Sequence, residues 1–347
     1  MKAKIVNKGQ LSGLLDKLAK DYDLVAPVKE ETITLFKKIS SAQDAFLDYT
    51  NSDVSPKGCF LPQSEKIFSY TYTGDSLEIV KPESAKKTVL FGARPCDIKA
   101  ITTLDPVFEG EKFGDEFYSS KRENTVIIGL SCSKVLSTCF CYAFGGGPCD
   151  GTGSDLLFTE IGDKYYVEIN TDKGQALVDA NSQFFSSENT DQLAKDKEEL
   201  AKKLAGEFVK KVDLTGVKEL LDSDFELAYW DEDPYKKCIG CGTCTYVCPT
   251  CHCFDIFDFT TGDITGDRIR CWDSCMYPEY TLMAGGHNPR PTRKERIRNR
   301  FMHKLKYHLD RYNMVGCVGC GRCIRKCPVN IDITKIINDL KEVAQNA

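Results

Sequence analysis

The sequence predicts an α/β domain with a mixed or parallel sheet and helices, followed by a smaller cysteine-rich α+β or mainly helical domain carrying a long insertion. Three observations lead there. Two apolar, partly β-branched runs, residues 88–92 and 125–130, flank a helical segment, the pattern of strands buried on both faces of a parallel sheet. Residues 222–234 (DSDFELAYWDEDP) are acidic and end on a proline, and they divide residues 1–221 from 222–347. Beyond them the spacing C-x2-C-x2-C-x3-C-P occurs twice: Cys238, Cys241, Cys244, Cys248, Pro249, and then Cys317, Cys320, Cys323, Cys327, Pro328.

That spacing is the signature of thiolates wrapped around a [4Fe–4S] cube, so the second domain reads as a ferredoxin-like, two-cluster unit. Three cysteines on a glycine-containing loop reach three irons of one cube, while the fourth points away to the other. This pairs Cys238, Cys241 and Cys244 with Cys327, and Cys317, Cys320 and Cys323 with Cys248. Pro249 and Pro328 lack an N–H and stop the preceding turn from continuing.

In chain order, residues 8–21 place Leu11, Leu14, Leu15 and Leu18 on one helical face. Residues 24–28 read as a strand that ends near Pro27. Residues 62–80 alternate in short bursts around Thr73-Gly74-Asp75, as in a β-hairpin. The strand 88–92 turns into a helix from about Asp97, and the strand 125–130 runs towards Cys132. Ligands of parallel sheets collect beyond the carboxyl ends of the strands, where Cys96 and Cys132 lie. The glycine-rich loop with Cys139, Cys141 and Cys149 can fold back over those ends. Residues 156–160 and 164–169 form a hairpin, and residues 172–180 and 189–211 are helical, the latter a charged surface helix. Cys248 and Cys317 lie 69 positions apart, so residues 250–316 form an insertion into the ferredoxin-like region. It ends in a basic helix, 292–312, that reads as solvated or as a docking face for an acidic partner. A helix over 331–343 closes the chain.

A third [4Fe–4S] cluster is expected from Cys96, Cys132, Cys139 and Cys141, with zinc or plain packing as the alternatives. A fourth metal site is conceivable from Cys251, Cys253, Cys275 and His287. Those residues could equally shield the two ferredoxin cubes. Gly145-Gly-Gly matches neither phosphate-loop pattern, so no flavin or nucleotide is expected on this chain. His252, His303 and His308 have no catalytic partners in sequence, and no catalytic residue is assigned.

The remaining features are exclusions. A net charge of −5 suggests no nucleic-acid partner. No run of about 18 apolar residues predicts a membrane span, and no export signal is apparent, so the chain is expected in the cytoplasm. There, 18 cysteines mean metal ligation rather than disulfides, in an anaerobic or low-potential setting.

With these motifs laid out, residues 20–340 resemble the iron–sulfur β subunit of cytoplasmic sulfhydrogenases (hydrogenase/sulfur reductase). The same family includes the iron–sulfur subunits of anaerobic sulfite reductase and of flavin oxidoreductase–heterodisulfide reductase systems. The resemblance is carried by Phe91-Gly-Ala-Arg-Pro-Cys96-Asp97-Ile, Cys139-Phe-Cys141, Cys248-Pro-Thr-Cys251-His-Cys253-Phe, Trp272-Asp-Ser-Cys275, Ala284-Gly-Gly-His287-Asn-Pro-Arg290-Pro and Cys317-Val-Gly-Cys320-Gly-Arg-Cys323. It implies an electron-transfer role between a catalytic reductase or hydrogenase subunit, on one side, and an NAD(P)H-linked FAD/[2Fe–2S] subunit on the other. It also implies cluster ligands at Cys96, Cys132, Cys139 and Cys141, and none at Cys59, Cys149 or Cys271. The alternatives are a component of a heterodisulfide-reductase-linked flavin oxidoreductase, catalysis by an open iron near His287, and a redox-sensing protein.

Overall fold

The structure, a computed structural model, describes residues 2–110 and 112–346. Its seven-stranded sheet is built from β1 (Lys2–Asn7), β2 (Asp23–Glu30), β3 (Ile33–Ile39), β6 (Thr88–Ala93), β7 (Thr125–Leu130), β8 (Leu156–Ile161) and β9 (Lys164–Ile169). The order is β1-β9-β8-β7-β6-β2-β3. The four central strands β2, β6, β7 and β8 are parallel, and the edges close with antiparallel pairs.

The uninterrupted apolar runs of β6 and β7 follow from burial on two sides. Val89, Phe91, Ile128 and Leu130 face a core that includes Leu14, Leu15 and Leu18 of the helix Lys8–Asp21. Leu90, Ala93 and Ile127 face the opposite way, onto Ile98, Ile101 and Leu104 of the helix Pro95–Phe108. That helix lies close to the sheet. A Cβ on Gly129 would stand 2.6 Å from Ile98 Cδ1, so a larger residue there would push the Ile98 side chain aside.

Pro27 does not end its strand as expected; β2 continues to Glu30. Its carbonyl accepts from Phe46 N at 2.7 Å, so its polar backbone faces away from β3. Pairing with β6 covers only Asp23–Val25, and no ladder loses a donor. The charged surface helix also ends early, at Ala205, where Gly206 N donates back to Lys202 and Lys203 carbonyls.

A second sheet joins distant parts of the chain. β4 (Ser64–Thr73) and β5 (Ser76–Val80) form the expected hairpin, and β10 (Phe254–Thr260) and β11 (Thr265–Trp272) come from the inserted stretch. The order is β10-β11-β4-β5, all antiparallel, so the insertion adds strands to a sheet begun before residue 80.

The C-terminal core gathers Trp230, Ile297, Phe301, Leu305 and the closing helix Ile333–Asn346, with Trp230 and Phe301 stacked at 6.4 Å. The basic helix departs from its expectation of a solvated face: Arg296, Arg298, Arg300 and Lys304 are all buried. Among the described residues no helix is long and apolar enough to cross a membrane.

Candidate iron–sulfur centres

The two C-x2-C-x2-C-x3-C-P runs fold alike. In each, the second and third cysteines are separated by a glycine with positive φ, Gly242 at 73° and Gly321 at 72°, followed by one short helical turn. Cys238, Cys241, Cys244 and Cys327 line one cavity. Cys248, Cys317, Cys320 and Cys323 line a second.

Cys96, Cys132, Cys139 and Cys141 line a third cavity. The local structure explains how four thiols from separate segments meet. Cys96 starts the helix after β6, with Pro95 in the first turn, and Cys132 lies just past the end of β7. Arg94 ties these strand ends together: its buried guanidinium donates to the Leu130, Ser131 and Tyr49 carbonyls and stacks on the Tyr49 ring. The glycine-rich loop then folds back, Cys132 N donating to Pro148 O at 2.8 Å. Phe140 N donates to Gly319 O at 2.9 Å, and a Cβ on Gly319 would stand 2.5 Å from the Phe140 carbonyl. The third cavity is thereby pressed against the second ferredoxin run.

The cavities form a row. Cys323 belongs to the walls of the first and second, and Cys320 to those of the second and third. Cys241 is exposed at the outer end of the first.

The chemistry of the donors fits a thiolate-ligated cube. Burial pushes the thiols of Cys132 and Cys141 up to about 12 and that of Cys317 to about 11, so without a metal they hold their protons. Backbone donors are already aimed at sulfur, Gly240 N at Cys238 Sγ (3.4 Å) and Ile331 N at Cys327 Sγ (3.2 Å). Lys304 Nζ donates to Cys248 Sγ at 3.3 Å. Burial alone would lower the Lys304 ammonium, yet the charges of Cys248 and Cys251 lift it above the usual lysine value. Zinc would draw its thiolates to within roughly 3.8 Å of one another, given Zn–S bonds of about 2.3 Å. Among the described residues no three His, Cys, Asp or Glu side chains are gathered so as to hold one metal ion.

The residues named for a fourth site are only partly brought together. Cys253 and Cys275 meet at the root of the β10–β11 hairpin, where Asp273 N donates to Cys253 O at 3.0 Å. The hydrogen bond between the two thiols lowers Cys253 and raises Cys275. Cys251 hydrogen-bonds instead to Cys248, which lowers Cys248. His287 is exposed on a loop, its carbonyl accepting from Met283 N. Cys59 lies against the core under the sheet, Cys149 beside a polar cleft, and Cys271 in β11 near Ser64.

Sequence reasoning missed the charged side chains around these thiols. Arg322 and Asp97 form a buried ion pair between the second and third cavities. Arg300 Nη1 lies 4.0 Å from Cys251 Sγ, and Lys57 donates to Cys251 O at 2.9 Å beneath the Trp272 ring.

Comparison with known proteins agrees with the geometry. Residues 237–331 match the model of a 4Fe-4S dicluster domain. No solved structure matches the chain. Sulfhydrogenase 2 subunit beta of Pyrococcus furiosus is 34% identical over 316 residues, covering 91% of each chain. Shared along nearly its whole length, that likeness makes this chain a member of the family of sulfhydrogenase iron–sulfur β subunits.

Proposed function

We propose that this chain is the relay subunit of a cytoplasmic, multi-subunit oxidoreductase, holding three [4Fe–4S] cubes in a row. Cys238, Cys241, Cys244 and Cys327 would hold the first, Cys248, Cys317, Cys320 and Cys323 the second, and Cys96, Cys132, Cys139 and Cys141 the third. Each cube would supply a one-electron site. The observation that carries the reading is the sharing of walls: Cys323 and Cys320 each border two neighbouring cavities, so three sites stand in line.

The chain's own residues supply position and surroundings. Positive-φ glycines let the loops wrap closely, backbone N–H groups point at ligand sulfurs, and buried side chains keep water away. Cys251, Cys253 and Cys275 serve best as the wall behind the second site, since Cys251 bonds to Cys248 and His287 stands apart. Residues 1–221 then carry the third site and residues 222–347 the first two, locked together by the sheet that joins β4 to β11.

A row has two ends and suits two partners. One is an NAD(P)H-linked subunit with FAD and [2Fe–2S], the other a catalytic subunit. Likeness to a sulfhydrogenase subunit favours a hydrogenase-type catalytic partner over a sulfite reductase. Anaerobic co-purification from the native source tests this, with iron and acid-labile sulfide counted per chain. A catalytic subunit, a flavoprotein and about twelve irons are expected, at four per cube. About eight irons would remove the third cube, and a chain that purifies without redox partners would overturn the relay.

A further inference from the structure

Lys304 is 3% exposed, and among the described residues it forms no ion pair with a carboxylate. Its three ammonium donors go to Cys248 Sγ at 3.3 Å, Thr250 Oγ1 at 3.1 Å and Gly316 O at 2.8 Å. The helix that carries it is fixed in register by a capping box of Thr292 and Glu295. It then widens into one π turn, His303–Tyr307, and Lys304 lies within that turn. Such turns are rare and concentrate at functional positions.

The other two sites are treated differently. At the first, the hydrogen bonds to Cys238 and Cys327 sulfurs come from uncharged backbone groups; the buried Arg300 guanidinium lies on that cavity's wall but hydrogen-bonds to neither sulfur, and it faces Cys323 and Cys248 of the middle site as well as Cys244. Beside the third, Arg322 is neutralised by Asp97 at 2.6 and 3.0 Å. Arg94 is buried there too and its charge acts on Cys132, but its Nη donors go to backbone carbonyls and its Nε has no partner, so among the described residues it makes no hydrogen bond to a sulfur. Among the described residues, a buried cation donates directly to an expected ligand sulfur only at the middle site.

We infer that Lys304 is a positioning residue that makes the middle site the most easily reduced of the three. The inference rests on the three-cube reading above. Reduction adds one negative charge to a cube, and a nearby ammonium stabilises the more negative state. Burial makes that stabilisation larger than at the surface, because little water screens it. Lys304 stays a fixed positive charge, bonded to Cys248 Sγ in both oxidation states. An electron entering from either end of the row comes to rest at the centre.

The test is a potentiometric titration of the anaerobically purified complex, followed by electron paramagnetic resonance, with Lys304→Met, Lys304→Gln and Lys304→Arg. Met and Gln are expected to lower the highest of the three midpoint potentials and leave the other two in place, whereas Arg keeps it close to the parent. Unmoved potentials in Lys304→Gln, or a shift confined to one of the two lower potentials, would overturn the inference. Should a substitution cost the complex a cube, the signal that vanishes identifies the middle site. Loss of the highest-potential signal supports the assignment, and loss of another overturns it. Fewer than about twelve irons in the unsubstituted chain would count against the three-cube reading itself, which separates the two failures.

Discussion

Asp97 and Arg322, 225 positions apart in the chain, form a two-pronged ion pair at 2.6 and 3.0 Å with neither side chain exposed. Arg322 also donates to the carbonyl and hydroxyl of Ser52. Asp97 follows Cys96 and Arg322 precedes Cys323, so the pair ties the segment that lines the third cavity to the one that lines the second. Breaking a buried pair leaves one charge unpaired and costs about 3–5 kcal/mol, whereas replacing both partners with apolar groups is close to neutral. Asp97→Ala should therefore lose about that much stability in anaerobic urea denaturation, and Asp97→Leu with Arg322→Met should recover most of it. A single variant as stable as the parent would show that the pair does not hold the two regions together.

The pairing of these residues could not be read from the sequence. Cysteine runs declare themselves because one cube is wrapped mostly by neighbours in the chain, but an ion pair between residues 225 apart leaves no local trace. The same holds for β4 and β11, each a plain alternating strand with nothing to mark its partner. Arg300 and Lys304 were within reach. Ile297, Phe301 and Leu305 recur at helical spacing, and positions 300 and 304 fall on that same apolar stripe. Charge alone made them look solvated. Cys96 and Cys132 could be placed side by side because both follow neighbouring strands of a parallel sheet, and Cys139 and Cys141 could be added because the glycine-rich loop that carries them can fold back over those ends.

The third site makes its own prediction. Cys132 lies just past the end of β7 and belongs to neither ferredoxin run of the sequence. Cys132→Ser should reduce the iron content from about twelve to about eight per chain, with the magnetic interaction between the two remaining reduced cubes preserved. Iron that stays at about twelve, or falls to about four, would contradict a separate third centre.

Cys253 and Cys275 are assigned to the wall, and their substitution should separate wall from ligand. Cys253→Ser and Cys275→Ser are expected to keep about twelve irons per chain, measured beside acid-labile sulfide. A parent with about sixteen irons and variants with about twelve would instead make Cys251, Cys253 and Cys275 ligands of a fourth centre.

The pH dependence of cluster assembly follows from the buried thiols. Cys132 and Cys141 are raised to about 12 and Cys317 to about 11, so in the metal-free folded chain they are protonated throughout the neutral range. Iron binds the thiolate, so each such cysteine must release a proton as its site fills. The sign is then fixed. Below its raised pKa, every thiol opposes binding by about 1.4 kcal/mol for each pH unit of acidification. Reconstitution of the metal-free chain with iron and sulfide should strengthen steadily from pH 7 to pH 9 and release protons in a weakly buffered solution. If the metal-free chain instead unfolds, its thiols return to an ordinary pKa of about 8.5, and the gain should level off above that pH. Proton release recorded across the range, alongside circular dichroism of the metal-free chain, distinguishes a preformed site from one that folds around its clusters.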